Sequence, residues 1–168
     1  MNGKYSAGGK PPKTLSKMWE FALAAYSEPI IQRHCLYLQD HYQMDVNMLL
    51  AAGFCGQQNM LWSSPFCQEL ITLVAPIRET YVIPLRALRR QAEGSGELYG
   101  ALKTAEIEAE RAEVALLANG IAGLTAVSDD DDSYLENLLA YAAVHADVSQ
   151  GQLLSVCRDL ALKFAEIR

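Results

Sequence analysis

Residues 97–118 read ELYGALKTAEIEAERAEVALLA. Leu98, Leu102, Ala105, Ala109, Ala112 and Leu116 recur at four-three spacing, which is the period of one helix face and not of a strand. Small residues in the middle of that seam suit close approach of a second helix, from this chain or from a second copy in a homodimer. The stretch therefore predicts a long charged helix. The same period runs outward from it in both directions, and no run alternates with period two. The expected fold is all-α, a bundle of six to seven helices.

Toward the N-terminus, Gly94-Ser95-Gly96 ends the preceding segment. That segment opens at Ser64-Pro65, with serine at the cap and proline at the first helical position. Pro76 and Pro84 interrupt it. Each removes an amide donor and crowds the carbonyl four residues back, so this fourth helix should kink or restart. Asp45 caps a third helix with the apolar set Val46, Leu49, Leu50, Gly53, Phe54 and Leu61. Ser27 caps a second, which tolerates Pro29 in its first turn and buries Ile31, Cys35, Leu38 and Tyr42. The first begins near Thr14 or Ser16 and buries Leu15, Met18, Trp19, Ala22 and Tyr26.

Toward the C-terminus, Asn119-Gly120 and Gly123 loosen the chain before the run Asp129-Asp130-Asp131-Asp132. Ser133 with Glu136 makes a capping box for a helix burying Leu135, Leu138, Leu139 and Ala142. Ser149 with Gln152 repeats the device for a last helix burying Leu153, Cys157, Leu160 and Phe164.

The chain has 168 residues, 51% hydrophobic and 20% charged, the composition of an ordinary globular protein. Fourteen basic and twenty acidic residues leave a net charge of -6, which argues against a nucleic-acid coat and against a polybasic membrane anchor. Charge is uneven: residues 1–93 hold nine basic and seven acidic side chains, residues 94–168 five and thirteen. The expected organisation is a flexible tail (1–13), a helical N-terminal subdomain (14–93) and an acidic helical region (94–168), forming one compact domain. No stretch reaches the roughly 18 uninterrupted apolar residues of a membrane span. The first fifteen residues carry three lysines and lack the apolar centre of a signal peptide. A cytoplasmic protein with no membrane partner is expected. Cys35, Cys55, Cys67 and Cys157 are scattered without a CxxC pair, as buried reduced thiols would be.

Catalytic, metal and cofactor signatures are absent. The four consecutive aspartates lack the spaced ligands of a calcium loop and suit the N-terminus of the helix that follows them. His34, His41 and His145 lack zinc-ligand spacing. No nucleophile elbow, phosphate loop or dinucleotide fingerprint is present. No catalytic residue, metal ligand or cofactor is expected.

Two constellations remain. Gln39, Asp40, Asp45 and Asn47 surround one short inter-helix turn; they form either a polar corner that satisfies the turn or a ligand site. Arg86, Arg89 and Arg90, with Arg78 upstream, are the one basic concentration. Spacing of three and four puts the first three on one helix face. They either pair with the acidic second half or dock an acidic or phosphorylated partner, whose oxygens a guanidinium fork matches.

Leu36-Tyr37-Leu38-Gln39-Asp40 followed by Asp45-Val46-Asn47-Met48-Leu49-Leu50, with Trp19 upstream and Pro84-Leu85-Arg86-Ala87-Leu88-Arg89-Arg90 downstream, resembles a proteobacterial family. Its members are small proteins of similar length that carry a domain of unknown function. The resemblance covers about Leu15 to Glu113. Because no activity is established for that family, it implies no catalytic residue and no cofactor. Two departures stand out. His41-Tyr42-Gln43-Met44 stands where a glycine is expected before Asp45, and Ala51-Ala52-Gly53-Phe54 lacks a bulky tryptophan. A pocket there would differ in shape.

These observations together predict a cytoplasmic, bacterial-type helical module, leaning non-enzymatic, that binds or regulates a protein partner with an acidic surface. The runner-up is an enzyme or small-ligand binder built on Gln39, Asp40, Asp45 and Asn47. A nucleic-acid role would rest on the arginine face alone, against the acidic total.

Overall fold

Helical period becomes helix throughout the residues that the computed structural model describes, which are 13–127, 133–149 and 151–167. Among them are α1 (Lys13–Ser27), α2 (Pro29–Tyr42), α3 (Val46–Gln57), α4 (Ser64–Ile77), α5 (Ile83–Gln91), α6 (Glu97–Ile121), α7 (Ser133–His145) and α8 (Gly151–Ala165), with no strand. A π-helical turn, Arg78–Val82, joins α4 to α5. Counting that proline-interrupted rod as one element gives seven helices. No helix among the described residues is long and apolar enough to cross a membrane.

The helix widens before Pro84 and does not break, and α4 continues past Pro76 to Ile77. Pro84 has no amide to donate, and the Ile83 amide reaches back five residues to the Arg78 carbonyl. The backbone stays right-handed helical through Arg78 and Ile83. Arg78, Val82 and Arg86, four apart, all turn inward: Val82 is buried and both arginines meet α6.

α3 is the central helix, buried from Met48 to Gly56. It can be enclosed because two glycines admit neighbours at backbone distance. A β-carbon on Gly53 would lie 2.7 Å from the Phe164 ring of α8, and one on Gly56 would lie 2.7 Å from the Tyr134 ring of α7. Asp45 caps α3 as its residue type demands, Oδ1 accepting from the Asn47 amide at 2.9 Å. The α8 stripe Leu153, Cys157, Leu160 and Phe164 is buried as its period predicts. All four cysteines are buried and unpaired. Burial pushes the thiols of Cys35 and Cys55 up to about 12, and those of Cys67 and Cys157 up to about 11.

Several local expectations are corrected. α1 is already helical at Lys13, so Thr14 and Ser16 lie inside it. Glu28 holds the N-cap position of α2, while the Ser27 hydroxyl donates back to the Ala24 carbonyl. Ser63, and not Ser64, caps α4 by accepting from the Phe66 amide. The run Asp129–Asp132 and residues 1–12 lie outside the described residues.

The largest correction concerns α6. Within the chain its seam of Leu98, Leu102, Ala105, Ala109, Ala112 and Leu116 is not the buried face: Leu98 is 57% exposed, Ala112 is exposed and the others are half-buried. The buried residues are Glu106, Glu113, Val114, Leu117, Ala118 and Ile121. Arginines from the π turn and α5 meet the carboxylates on that face, and their attraction sets the rotation of the helix. α7 departs similarly. Asn137 and Tyr141 point inward beside Leu138 and Ala142, because Asn137 secures the loop between α3 and α4. Its Oδ1 accepts from the Trp62 amide at 2.7 Å, and its Nδ2 donates to the Met60 carbonyl at 2.8 Å.

Candidate functional site

A groove of about 580 Å³ opens between α1, α2, α5 and α6, with the start of α3 at its floor. Its size is that of a ligand cleft. α1 contributes Trp19, Leu23 and Tyr26, α2 contributes Leu36 and Gln39, and α3 contributes Asn47 and Leu50. The opposite wall is Arg86, Arg89 and Arg90 of α5 with Lys103, Glu106, Ile107, Glu110 and Arg111 of α6. Five cations and two carboxylates thus line a groove in a chain whose total charge is -6. Arg111 lies over the Trp19 ring at 5.2 Å, and Arg89 near the Tyr99 ring at 6.0 Å.

Arg86 organises the wall formed by α5 and α6. Its Nε donates to Glu106 Oε1 at 3.0 Å, its Nη2 to Glu110 Oε1 at 2.8 Å and its Nη1 to Gln39 Oε1 at 2.9 Å. Arg89 Nε also donates to Glu106. Burial works against the Glu106 carboxylate, but hydrogen bonds from Arg89 and Arg86 outweigh it and hold the group below its ordinary range. Glu110 differs. Burial, with Glu106 and Asp45 nearby, outweighs the attraction of Arg86 and raises it.

A second cluster lies behind the floor. Asn47 Nδ2 donates to Glu113 Oε2 at 2.7 Å. The other carboxylate oxygen of Glu113 is 3.9 Å from Arg78 Nη1, which lies 2.8 Å from Asp45 Oδ2. One guanidinium therefore serves two carboxyls. Burial, then the facing Asp45, push Glu113 well above the carboxylate range, so it keeps its proton at neutral pH. From α7, the Tyr141 hydroxyl accepts from the Asp45 amide at 2.8 Å. Burial raises the Tyr141 hydroxyl, and burial together with Arg78 lowers the neighbouring His145.

The model of a family described as Protein of unknown function (DUF2390) matches residues 17–117. The chain belongs to that family. No curated protein and no solved structure matches it. The DUF2390 segment runs from α1 to near the end of α6. It therefore contains every residue lining the groove, and Asp45, Arg78 and Glu113 behind it. Tyr141 and His145 belong to the part of the chain beyond the DUF2390 match.

The two sequence constellations meet here but do not stay whole. Gln39 and Asn47 line the groove, Asp45 is buried behind it, and Asp40 is exposed and outside the lining. Arg86 and Arg89 pair with α6, and Arg78 pairs with the inner cluster. Arg90 is exposed at the groove edge. Sequence reading missed Glu106, Glu110 and Glu113, although their spacing of four and three matches the arginine face opposite and could have signalled it. Tyr141 and Asn137 gave no signal, being polar residues interleaved in an apolar stripe.

Proposed function

We propose that the chain is a non-enzymatic binding module whose groove receives an acidic, amphipathic segment of a partner protein. One observation carries this: a net-cationic groove with open apolar walls in an acidic protein. Leu23, Leu36 and Ile107 are exposed along the walls, where an apolar helix face or extended segment would cover them. Arg90, Lys103 and Arg111 at the edges would favour acidic residues flanking that face and speed encounter. Selection of displayed random peptides on the purified chain should enrich sequences that combine acidic and apolar residues. Arg90→Glu with Lys103→Glu should weaken their capture by about tenfold or more. Enriched peptides without acidic residues, or capture indifferent to the charge reversal, would overturn the reading.

A second reading, an enzyme or small-ligand binder, has its own support. Asn47 lines the groove and also bonds the protonated Glu113 behind it, which would set an acid one residue away from a bound molecule. Loss of a ligand-dependent signal in Asn47→Ala, with peptide capture intact, would favour it.

A further inference from the structure

The groove holds one carboxylate that is badly placed to be permanent. Arg86 has two acidic partners, and they differ. Glu106 has a side chain only 7% exposed and is gripped by both Arg86 and Arg89. Glu110 has a side chain 28% exposed, faces the groove, and bonds a single guanidinium nitrogen, Arg86 Nη2. Resting on the docking reading above, we propose that Arg86 recognises a carboxylate of the partner segment, and that Glu110 occupies the seat on Arg86 which that carboxylate takes.

The geometry supports an exchange. Arg86 is fixed from two other sides, by Glu106 on Nε and by Gln39 on Nη1, so its third corner stays aimed into the groove when Glu110 leaves. A guanidinium fixed in this way loses little freedom on binding an anion. Glu110 loses little by leaving, because burial and the neighbouring Glu106 and Asp45 already disfavour its charge. The apolar side chains Leu23, Leu36 and Ile107 line the same groove. The occupant this fits presents a Glu or Asp side chain directly beside apolar ones. Glu110 then has a role in specificity, since an apolar segment without a carboxylate gains nothing from Arg86 and must still tolerate Glu110.

Octanoate and octan-1-ol share an apolar chain and differ at the carboxylate, so they serve as probes on the full chain. Binding is read from the Trp19 indole and the Arg86 side-chain resonances in NMR titrations. Octanoate should bind Glu110→Gln about tenfold more tightly than the parent, while octan-1-ol binds both alike. Adding Arg86→Lys to Glu110→Gln keeps the positive charge but removes the fork, and should abolish the gain. Equal octanoate affinity for parent and Glu110→Gln would overturn the exchange while leaving the groove as a binding site. A gain that persists with Arg86→Lys would also overturn it, by assigning the effect to charge at a distance. If neither probe disturbs Trp19 in any variant, the groove reading and the exchange fall together.

Discussion

Glu106 and Glu113 sit seven residues apart on the inward face of α6, both are buried, and arginines reach both. Glu106 is nevertheless held in its charged form and Glu113 in its neutral form. The difference is stoichiometric and geometric. At the groove, Arg86 and Arg89 both bond Glu106 directly, so a charge removed from water meets two opposite ones. Behind the floor, Arg78 lies 2.8 Å from Asp45 but 3.9 Å from Glu113, and among the described residues the second carboxyl has no cation of its own. A buried charge without a full partner is relieved by taking a proton. Three guanidiniums therefore face four carboxyls, one of them protonated. The groove cluster opens to solvent, whereas the inner cluster works as structure that is sensitive to pH.

The largest test of this contrast removes Arg78. Arg78→Met should destabilise the fold by about 3–5 kcal/mol at neutral pH, because the buried Asp45 loses the guanidinium 2.8 Å from it. Chemical denaturation should show a smaller loss for Arg78→Lys, which keeps the positive charge beside Asp45. An equal loss in Arg78→Lys and Arg78→Met would mean that packing and geometry of the arginine, and not its charge, are what matter.

Glu113→Gln should act in the other direction. In the unfolded chain Glu113 titrates near the ordinary 4.5 of its side chain, and burial raises it in the fold. Between those limits unfolding releases a proton, so the contribution is complete below pH 4.5 and is lost as pH rises through the folded value. Glutamine can still accept from Asn47 and does not titrate. The variant should be more stable than the parent at pH 8, by on the order of 1 kcal/mol, with a flatter pH dependence. A parent whose stability is flat from pH 5 to 8 would contradict a neutral Glu113.

The smallest effect is expected at the groove edge. Arg111 pairs with Glu108 at an exposed site and lies over Trp19. Arg111→Ala should cost no more than about 1 kcal/mol, while changing Trp19 fluorescence. A much larger loss would mean that the groove edge is built like the inner cluster.

Features that depend on neighbours in the chain were legible in the sequence. Asp45 caps α3 because its carboxylate reaches the Asn47 amide two residues on. The rod widens ahead of Pro84 because proline lacks an amide, and the α8 stripe is buried because Leu153, Cys157, Leu160 and Phe164 share a face. Residues of the groove were also legible in part: Gln39, Asn47 and Arg86 stood out before they were known to meet.

Which polar residues went inside depended on partners distant in the chain. The apolar period of α6 points to Leu98, Leu102 and Ala105, yet Glu106 and Glu113 are buried in their place. Periodicity measures the tendency of a local stretch to leave water. Burying a carboxyl depends on a cation or a hydrogen-bond donor supplied from elsewhere, here Arg86 twenty residues before Glu106 and Asn47 sixty-six before Glu113. The widened turn at Arg78–Val82 brings Arg78 and Arg86 to that face. Only the folded chain places those partners within hydrogen-bonding distance, so the rotation of α6 and the chemistry of the groove were fixed there.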